Sequence, residues 1–274
     1  MTTVWIDGTL CDAADARVSP FDHGLLTGDG VFETLKVYGG VPFAMRRHLE
    51  RLEHSCKGLG LPCPDHGLLR DAMAAVIEAN GLDSGRIRIT LTGGVSPLGS
   101  DRGADGPLVI VAGGPLHEWP PSTDVVTVPW PRNERGALSG LKTTSYGENV
   151  VALAYAKERG AGEAIFGNTV GNLCEGTGTN VFLSLDGELV TPPLSSGCLA
   201  GVTRALVLEL TDCVERDVPL AALADADEAF LSSTTREVQP IRAIDGRERP
   251  AVPGPLTTAA AEAFGALVAR DLDP

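Results

Sequence analysis

Two rhythms of hydrophobic and polar residues interleave along this chain. Residues 31–38 (VFETLKVY) and 86–92 (RIRITLT) alternate with the period of two that sends successive side chains to opposite faces of a strand. Gly39-Gly40 turns the first of these into a further strand at 41–44, and short strands also read at 4–7 and 108–112. Residues 46–58 keep a helical period instead, with Leu49, Leu52, Cys56 and Leu59 on one face. A second helix over 68–79 stops at Asn80-Gly81, which suits the left-handed turn that closes helices. Further on, strands are expected near 125–129, 163–167, 180–185, 214–218 and 229–233, and helices over 147–159, 203–211 and 256–270. Residues 113–121 (GGPLHEWPP) hold glycine and proline without periodicity and read as a linker. The expectation is a mixed α/β (α+β) fold in two domains, 1–112 and 122–274.

Composition narrows the function classes. The 274 residues are 43% hydrophobic and 21% charged, ordinary for a globular protein with a real core. The formal charge of −14 disfavours a nucleic-acid partner, although an acidic protein can still hold a small anion in a locally basic pocket. No stretch reaches the ~18–20 apolar residues of a membrane span, and residues 1–20 lack the basic-then-apolar pattern of a signal peptide. A cytoplasmic protein is expected. The six cysteines form no CxxC pair and read as reduced core residues; the five histidines have no ligand spacing, so no metal is expected.

Five places could carry chemistry. Lys142 lies between a glycine-rich loop and a helix, in a chain with only four lysines, but its spacing does not make a P-loop. Glu175 precedes the apolar run 181–183, where a carboxylate that becomes buried needs a partner. Arg51 sits on the helix over 46–58, where Arg46 and Arg47 add positive charge. Gly201, Val202 and Thr203 open a helix, whose first amides and hydroxyl suit an anion. Residues 230–235 (FLSSTT) end a strand in hydroxyls and amides, with Thr234 and Thr235 at the turn. Each has a plain alternative: a surface lysine, a turn glutamate, a solvated helix face, an ordinary N-cap and a polar turn.

Taken in chain order, these segments resemble the class IV, or fold type IV, pyridoxal-phosphate enzymes. The resemblance runs from residues 28–40 (GDGVFETLKVYGG) to 230–246 (FLSSTTREVQPIRAIDG), and is most specific at Lys142, at 175–182 (EGTGTNVF) and at 199–204 (LAGVTR). It implies two α/β domains with pyridoxal 5′-phosphate in the cleft between them, and a homodimer. By that resemblance Lys142 is the Schiff-base lysine and Glu175 faces the pyridine nitrogen. Arg51, Val202, Thr203 and Thr234 hold the phosphate, Tyr146 stands near the ring hydroxyl, and Phe32, Thr234 and Thr235 meet the substrate.

Two departures bear on the substrate. Phe32 stands where D-amino acid aminotransferases carry a tyrosine, and residues 91–103 lack the Arg-x-His of their carboxylate trap. The expected function is therefore transfer of an amino group between an amino acid or amine and a 2-oxo acid, with branched-chain L-amino acids or (R)-amines ahead of D-alanine. The alternatives are a 4-amino-4-deoxychorismate lyase and a non-catalytic module that binds a phosphate ligand.

Overall fold

The computed structural model describes residues 2–274, which form two compact units. The first contains the chain up to His117 together with Leu141–Tyr146 and Asp271–Pro274; the second contains Glu118–Gly140 and Gly147–Arg270. The first change of unit falls between His117 and Glu118. Lys142, however, belongs to the first unit, because its segment leaves the second and returns.

The first unit is built from β1 (Thr3–Ile6), β2 (Thr9–Asp12), α1 (His23–Thr27), β3 (Gly30–Tyr38), β4 (Val41–Pro42), α2 (Met45–Leu59), α3 (His66–Asn80), β5 (Gly85–Thr92) and β6 (Leu108–Gly114). Its strands form one antiparallel sheet in the order β2-β1-β6-β5-β3-β4. Helices α2 and α3 pack on it, and the core joins Leu35, Leu49, Leu52, Met73 and Ile89. Asp65 caps α3 by accepting from the amides of Gly67 and Leu68, and Gly81 closes the helix at φ 57°. The strand expected at 41–44 is only two residues long, because Ala44 turns left-handed (φ 51°) to start α2. The Ala44 amide donates to Leu272 at 2.7 Å and ties the C-terminal residues to this unit.

The second unit contains β7 (Thr123–Thr127), α4 (Gly147–Glu158), β8 (Glu163–Gly167), β9 (Leu173–Gly176), β10 (Asn180–Leu185), β11 (Glu188–Thr191), α5 (Val202–Leu210), β12 (Val214–Glu215), β13 (Glu228–Ser233), β14 (Glu237–Ile244), β15 (Arg247–Glu248) and α6 (Pro255–Arg270). The sheet order is β12-β11-β10-β13-β14-β7-β8-β9, with β15 paired to β14. Parallel pairs (β7 with β8 and β14, β11 with β12) mix with antiparallel ones. Phe182 and Phe230, register partners on β10 and β13, stack at 4.7 Å in the core. Strands β9, β11 and β14 were not expected. Pro240 lies inside β14 and demotes its strand signal.

Candidate active site

Lys142 is fixed by its backbone to β3. Its carbonyl accepts from Phe32 N–H at 3.0 Å, and Thr143 forms an isolated antiparallel bridge with Val31. The Thr144 amide donates to Gly30 O at 2.8 Å, and the Thr144 and Ser145 hydroxyls donate to Gly28 O. Gly30 must be glycine here, since a Cβ would stand 2.6 Å from Leu91 O. On its other side, the Lys142 amide donates to Ser55 Oγ on α2 at 3.1 Å. With the backbone held on both sides, the side chain has a defined origin. Its Nζ lies 3.4 Å from Tyr146 Oη and 4.4 Å from the centre of the Phe32 ring. Phe32 and Tyr146 meet edge to face at 5.1 Å, and the Arg88 guanidinium sits 3.6 Å from the Phe32 ring centre. Phe32 thus carries two cations on its π system. Burial lowers the pKa of Arg88 from its ordinary value.

Beneath this surface lies a buried ion cluster. Alternation along β3 puts Val31, Glu33, Leu35 and Val37 on the face that α2 covers, so Glu33 is a carboxylate in a core row and is fully buried. Arg51 answers it with two bonds, Nε to Oε1 at 2.7 Å and Nη2 to Oε2 at 2.8 Å. His48 Nδ1 donates to Oε2 at 2.7 Å. Burial opposes the charge on Glu33, but Arg51 and His48 outweigh it and hold the carboxyl well below the usual carboxylate range. His48 is pushed down, by burial first and by the positive charges of Arg51 and Lys142, against the pull of Glu33. Arg51 is raised: Glu33 more than offsets the effect of burial. His48, Arg51 and Ser55 lie three to four residues apart on α2, so one edge of that helix holds both the ion cluster and the Lys142 backbone.

A third cluster in this unit fastens the loop between β5 and β6. His23 Nδ1 bonds Asp29 at 2.8 Å, and Nε2 bonds the Gly99 carbonyl at 2.9 Å. Both partners accept, so both ring nitrogens must donate and the pair of bonds selects the imidazolium. Accordingly His23 is raised from its ordinary value, first through its bond to Asp29. Arg102 from the loop forks onto Asp29 and donates to the carbonyls of Leu59 and Gly60. Asp29 is held low, first by Arg102. His23, Asp29, Arg102 and Thr27 line an open depression there.

The second unit gathers the other candidates around residues 199–203. Glu175, on β9, accepts at Oε2 from the Leu199 amide at 2.9 Å, and its Oε1 faces Arg132 Nε at 3.5 Å. Asn180 Nδ2 donates to Leu199 O at 2.9 Å, while a Cβ on Gly201 would stand 2.0 Å from Asn180 Oδ1. A side chain at Gly201 would therefore have to displace the Asn180 amide where the chain enters α5. Gly201 is the N-cap, no side chain caps the helix, and Val202 and Thr203 are buried in its first turn. Asn180 is also the register partner of Ser232, two residues before Thr234. Thr234 and Thr235 occupy the β13–β14 turn, which Arg236 stiffens by bonding Gln239, Gly162 O and Glu163 and by lying 3.8 Å from the Trp119 ring centre.

Each unit thus collects its own share of the expected residues: Phe32, Arg51, Lys142 and Tyr146 in the first, Glu175, Val202, Thr203, Thr234 and Thr235 in the second. Sequence reasoning missed Glu33, His48, Arg88 and Arg132. Glu33 had a visible signal, as the one charged residue in the 31, 33, 35, 37 row of a predicted strand. Arg88 and Arg132 had none, because their partners are distant in sequence. Among the described residues there is no group of His, Cys, Asp or Glu able to hold a metal ion, and no helix long and apolar enough to cross a membrane.

Comparison with known proteins agrees with this architecture. The profile of the amino-transferase class IV family matches residues 30–244. A putative branched-chain-amino-acid aminotransferase of Methanocaldococcus jannaschii is 36% identical, over 89% of this chain and 88% of its own. An aminodeoxychorismate lyase of Bacillus subtilis is 30% identical, over 88% of this chain and 86% of its own. The crystal structure of the Escherichia coli branched-chain amino acid aminotransferase superposes with a TM-score of 0.91 at 29% identity, covering 97% of this chain and 94% of that one. A hypothetical aminotransferase from Mycobacterium tuberculosis, in its PLP-bound form, superposes with a TM-score of 0.86 at 26% identity, covering 96% and 98%. The fold is that of the fold type IV enzymes. The chain belongs to the class IV aminotransferase family and is an enzyme.

Proposed function

We propose that this chain is a pyridoxal-phosphate aminotransferase that moves an amino group from a branched-chain L-amino acid or a simple (R)-amine to a 2-oxo acid. The observation that carries the reading is the Lys142 amine, fixed by its backbone and standing against Phe32 and Tyr146. The residues present fit the cofactor. The uncapped start of α5, with buried Thr203 and with Gly201 pressed on Asn180, suits a phosphate. Arg51 would supply a charge-assisted contact to the same phosphate, and Val202 and Thr234 would add to it. Glu175 would face the ring nitrogen, and Tyr146 the ring hydroxyl.

Bound there, pyridoxal phosphate supplies an aldehyde that takes up the amino group and a ring that accepts the electrons left by the departing α-proton. Every other task falls to the protein. Lys142 Nζ would be the group that binds the aldehyde, and as general base and acid it would carry the α-proton. Glu175, anchored by the Leu199 amide, keeps the ring nitrogen protonated. Phe32 presents an apolar face to the substrate side chain, while Thr234 and Thr235 offer amides and hydroxyls to its carboxylate. A homodimer is part of the proposal: Phe21, Leu25 and Leu98 are large apolar side chains left exposed on the first unit, and a second copy would cover them.

The test is a panel of branched-chain L-amino acids, (R)-amines, D-alanine and aminodeoxychorismate, each with and without 2-oxoglutarate or pyruvate. An amino donor should abolish the absorbance of the aldehyde form, and an oxo acid should restore it. Reaction of aminodeoxychorismate alone, giving 4-aminobenzoate without an oxo acid, would overturn the reading in favour of the lyase.

A further inference from the structure

Arg132 is held at three points inside the second unit. Its amide donates to Gly167 O at 2.7 Å, and its guanidinium carbon lies 4.2 Å from the centre of the Phe166 ring. Its Nη1 reaches Asn149 Oδ1 at 3.1 Å and Glu148 Oε2 at 3.2 Å, at the start of α4. A second nitrogen, Nε, is buried without a hydrogen bond and lies 3.5 Å from Glu175 Oε1. A buried N–H left without a bond is uncommon, and here it faces a carboxylate.

The two carboxylates around Arg132 are not equivalent. Glu148 is 72% exposed, so water and salt screen its attraction. Glu175 is 13% exposed, and the attraction between it and Arg132 acts through a medium of lower dielectric. The charge on Glu175 is felt by other neighbours too. The Cys198 thiol is pushed up to about 11, by burial first and by Glu175 next, and Cys174 is raised for the same two reasons. The Leu199 amide holds Oε2 and Arg132 stands beside Oε1, so protein groups meet both oxygens of the carboxylate.

We propose that Arg132 is a positioning residue that keeps Glu175 ionised and aimed, so that the proton of the Glu175–cofactor pair stays on the ring nitrogen. This rests on the proposed reading of Glu175 as the partner of that nitrogen. The reasoning is electrostatic. A proton shared between a carboxylate and a pyridine nitrogen sits on whichever side its surroundings favour. A cation on the far side of the carboxylate is nearer to the carboxylate than to the ring, so it favours the ionised acid and the protonated ring. Without Arg132 the proton moves toward Glu175, and the ring loses capacity to accept electrons.

The experiment loads the full-length protein with pyridoxal phosphate labelled with ¹⁵N in the ring and reads the nitrogen's NMR shift, which separates protonated from unprotonated pyridine without any turnover. Wild type should give the protonated signal. Arg132→Gln should move it toward the unprotonated position, and Arg132→Lys, which keeps the charge, should retain it. Glu175→Gln should give the unprotonated signal whether or not Arg132 is present. If Arg132→Gln fails to fold, Arg132→Lys decides, and an unprotonated signal in that folded variant overturns the proposal. So does a wild-type signal in Arg132→Gln when Glu175→Gln has lost it. A wild-type signal in Glu175→Gln would instead overturn the reading of Glu175 itself.

Discussion

The two units hold their candidate residues by different physical means. In the first, charged side chains answer one another in the interior: Arg51 and His48 close on Glu33, and the edge of α2 that carries them also fixes the Lys142 backbone. In the second, backbone does most of the holding: the Leu199 amide on Glu175, a glycine cap on α5, a tight turn at Thr234. A buried ion cluster is strong while whole and expensive when broken. A backbone cradle loses little when one side chain is trimmed. Mutations should therefore be severe in the first unit and graded in the second.

The largest effect is expected at Glu33. Glu33→Gln leaves Arg51 buried without its countercharge, and breaking such a pair should lower stability by about 3–5 kcal/mol. Denaturant unfolding checks this. Adding Arg51→Met to Glu33→Gln should recover much of that stability, since no buried charge remains, while cofactor affinity stays low. A double variant that binds pyridoxal phosphate as wild type does would remove Arg51 from the phosphate site.

Glu175→Gln should come next, with an effect on rate and almost none on folding. On the proposed reading the phosphate contacts remain, while the charge that would keep the ring protonated is gone. A loss of about 3–4 kcal/mol of electrostatic stabilisation corresponds to roughly 10²–10³-fold in kcat. Stopped-flow absorbance with a reactive amino donor measures it, and near-normal turnover would exclude Glu175 as the ring partner.

A smaller effect depends on pH. His23 binds its proton more tightly in the fold than in the unfolded chain, so its contribution is fully present below the ordinary histidine value of 6.5 and is lost as pH rises through the raised one. The 93–106 loop should accordingly gain hydrogen exchange above that point, after correction for the intrinsic rate. The lowered Asp29 acts at the other end: its contribution is lost only at acid pH. His23→Gln should make the loop insensitive to pH near neutrality; an unchanged profile in that variant would detach the loop from His23.

The smallest effect belongs to the backbone cradle. Thr203→Ala removes one hydroxyl from the proposed phosphate site, which the α5 amides would still serve, a change of about 0.5–1.5 kcal/mol, or roughly 2- to 13-fold in Kd for the cofactor. A far larger loss would mean that the side chain, not the helix start, holds the phosphate.

What the sequence made legible follows the same division. Elements with a clean period were readable: β3, α2, β5 and α6 lie within a residue or two of their expected bounds. Strand β14 was hidden by Pro240, and β9 and β11 were too short to show a period. Lys142 and Glu175 stood out through family resemblance, because their local sequence alone favours plainer readings. The charged partners could not be read from spacing. Arg88 meets Phe32 across a strand pair, and Arg132 meets Glu175, which lies 43 positions further along the chain. The return of residues 141–146 to the first unit is likewise invisible to any local pattern, because it depends on Gly28 and Gly30 offering carbonyls beside β3.

The most direct test of the account is chemical. Purified protein loaded with pyridoxal phosphate is treated with borohydride, digested and mapped by mass spectrometry. The account predicts one phosphopyridoxyl adduct, on Lys142, and its disappearance together with all amino transfer in Lys142→Ala. An adduct on Lys36, Lys57 or Lys157, or an active Lys142→Ala variant, would contradict it.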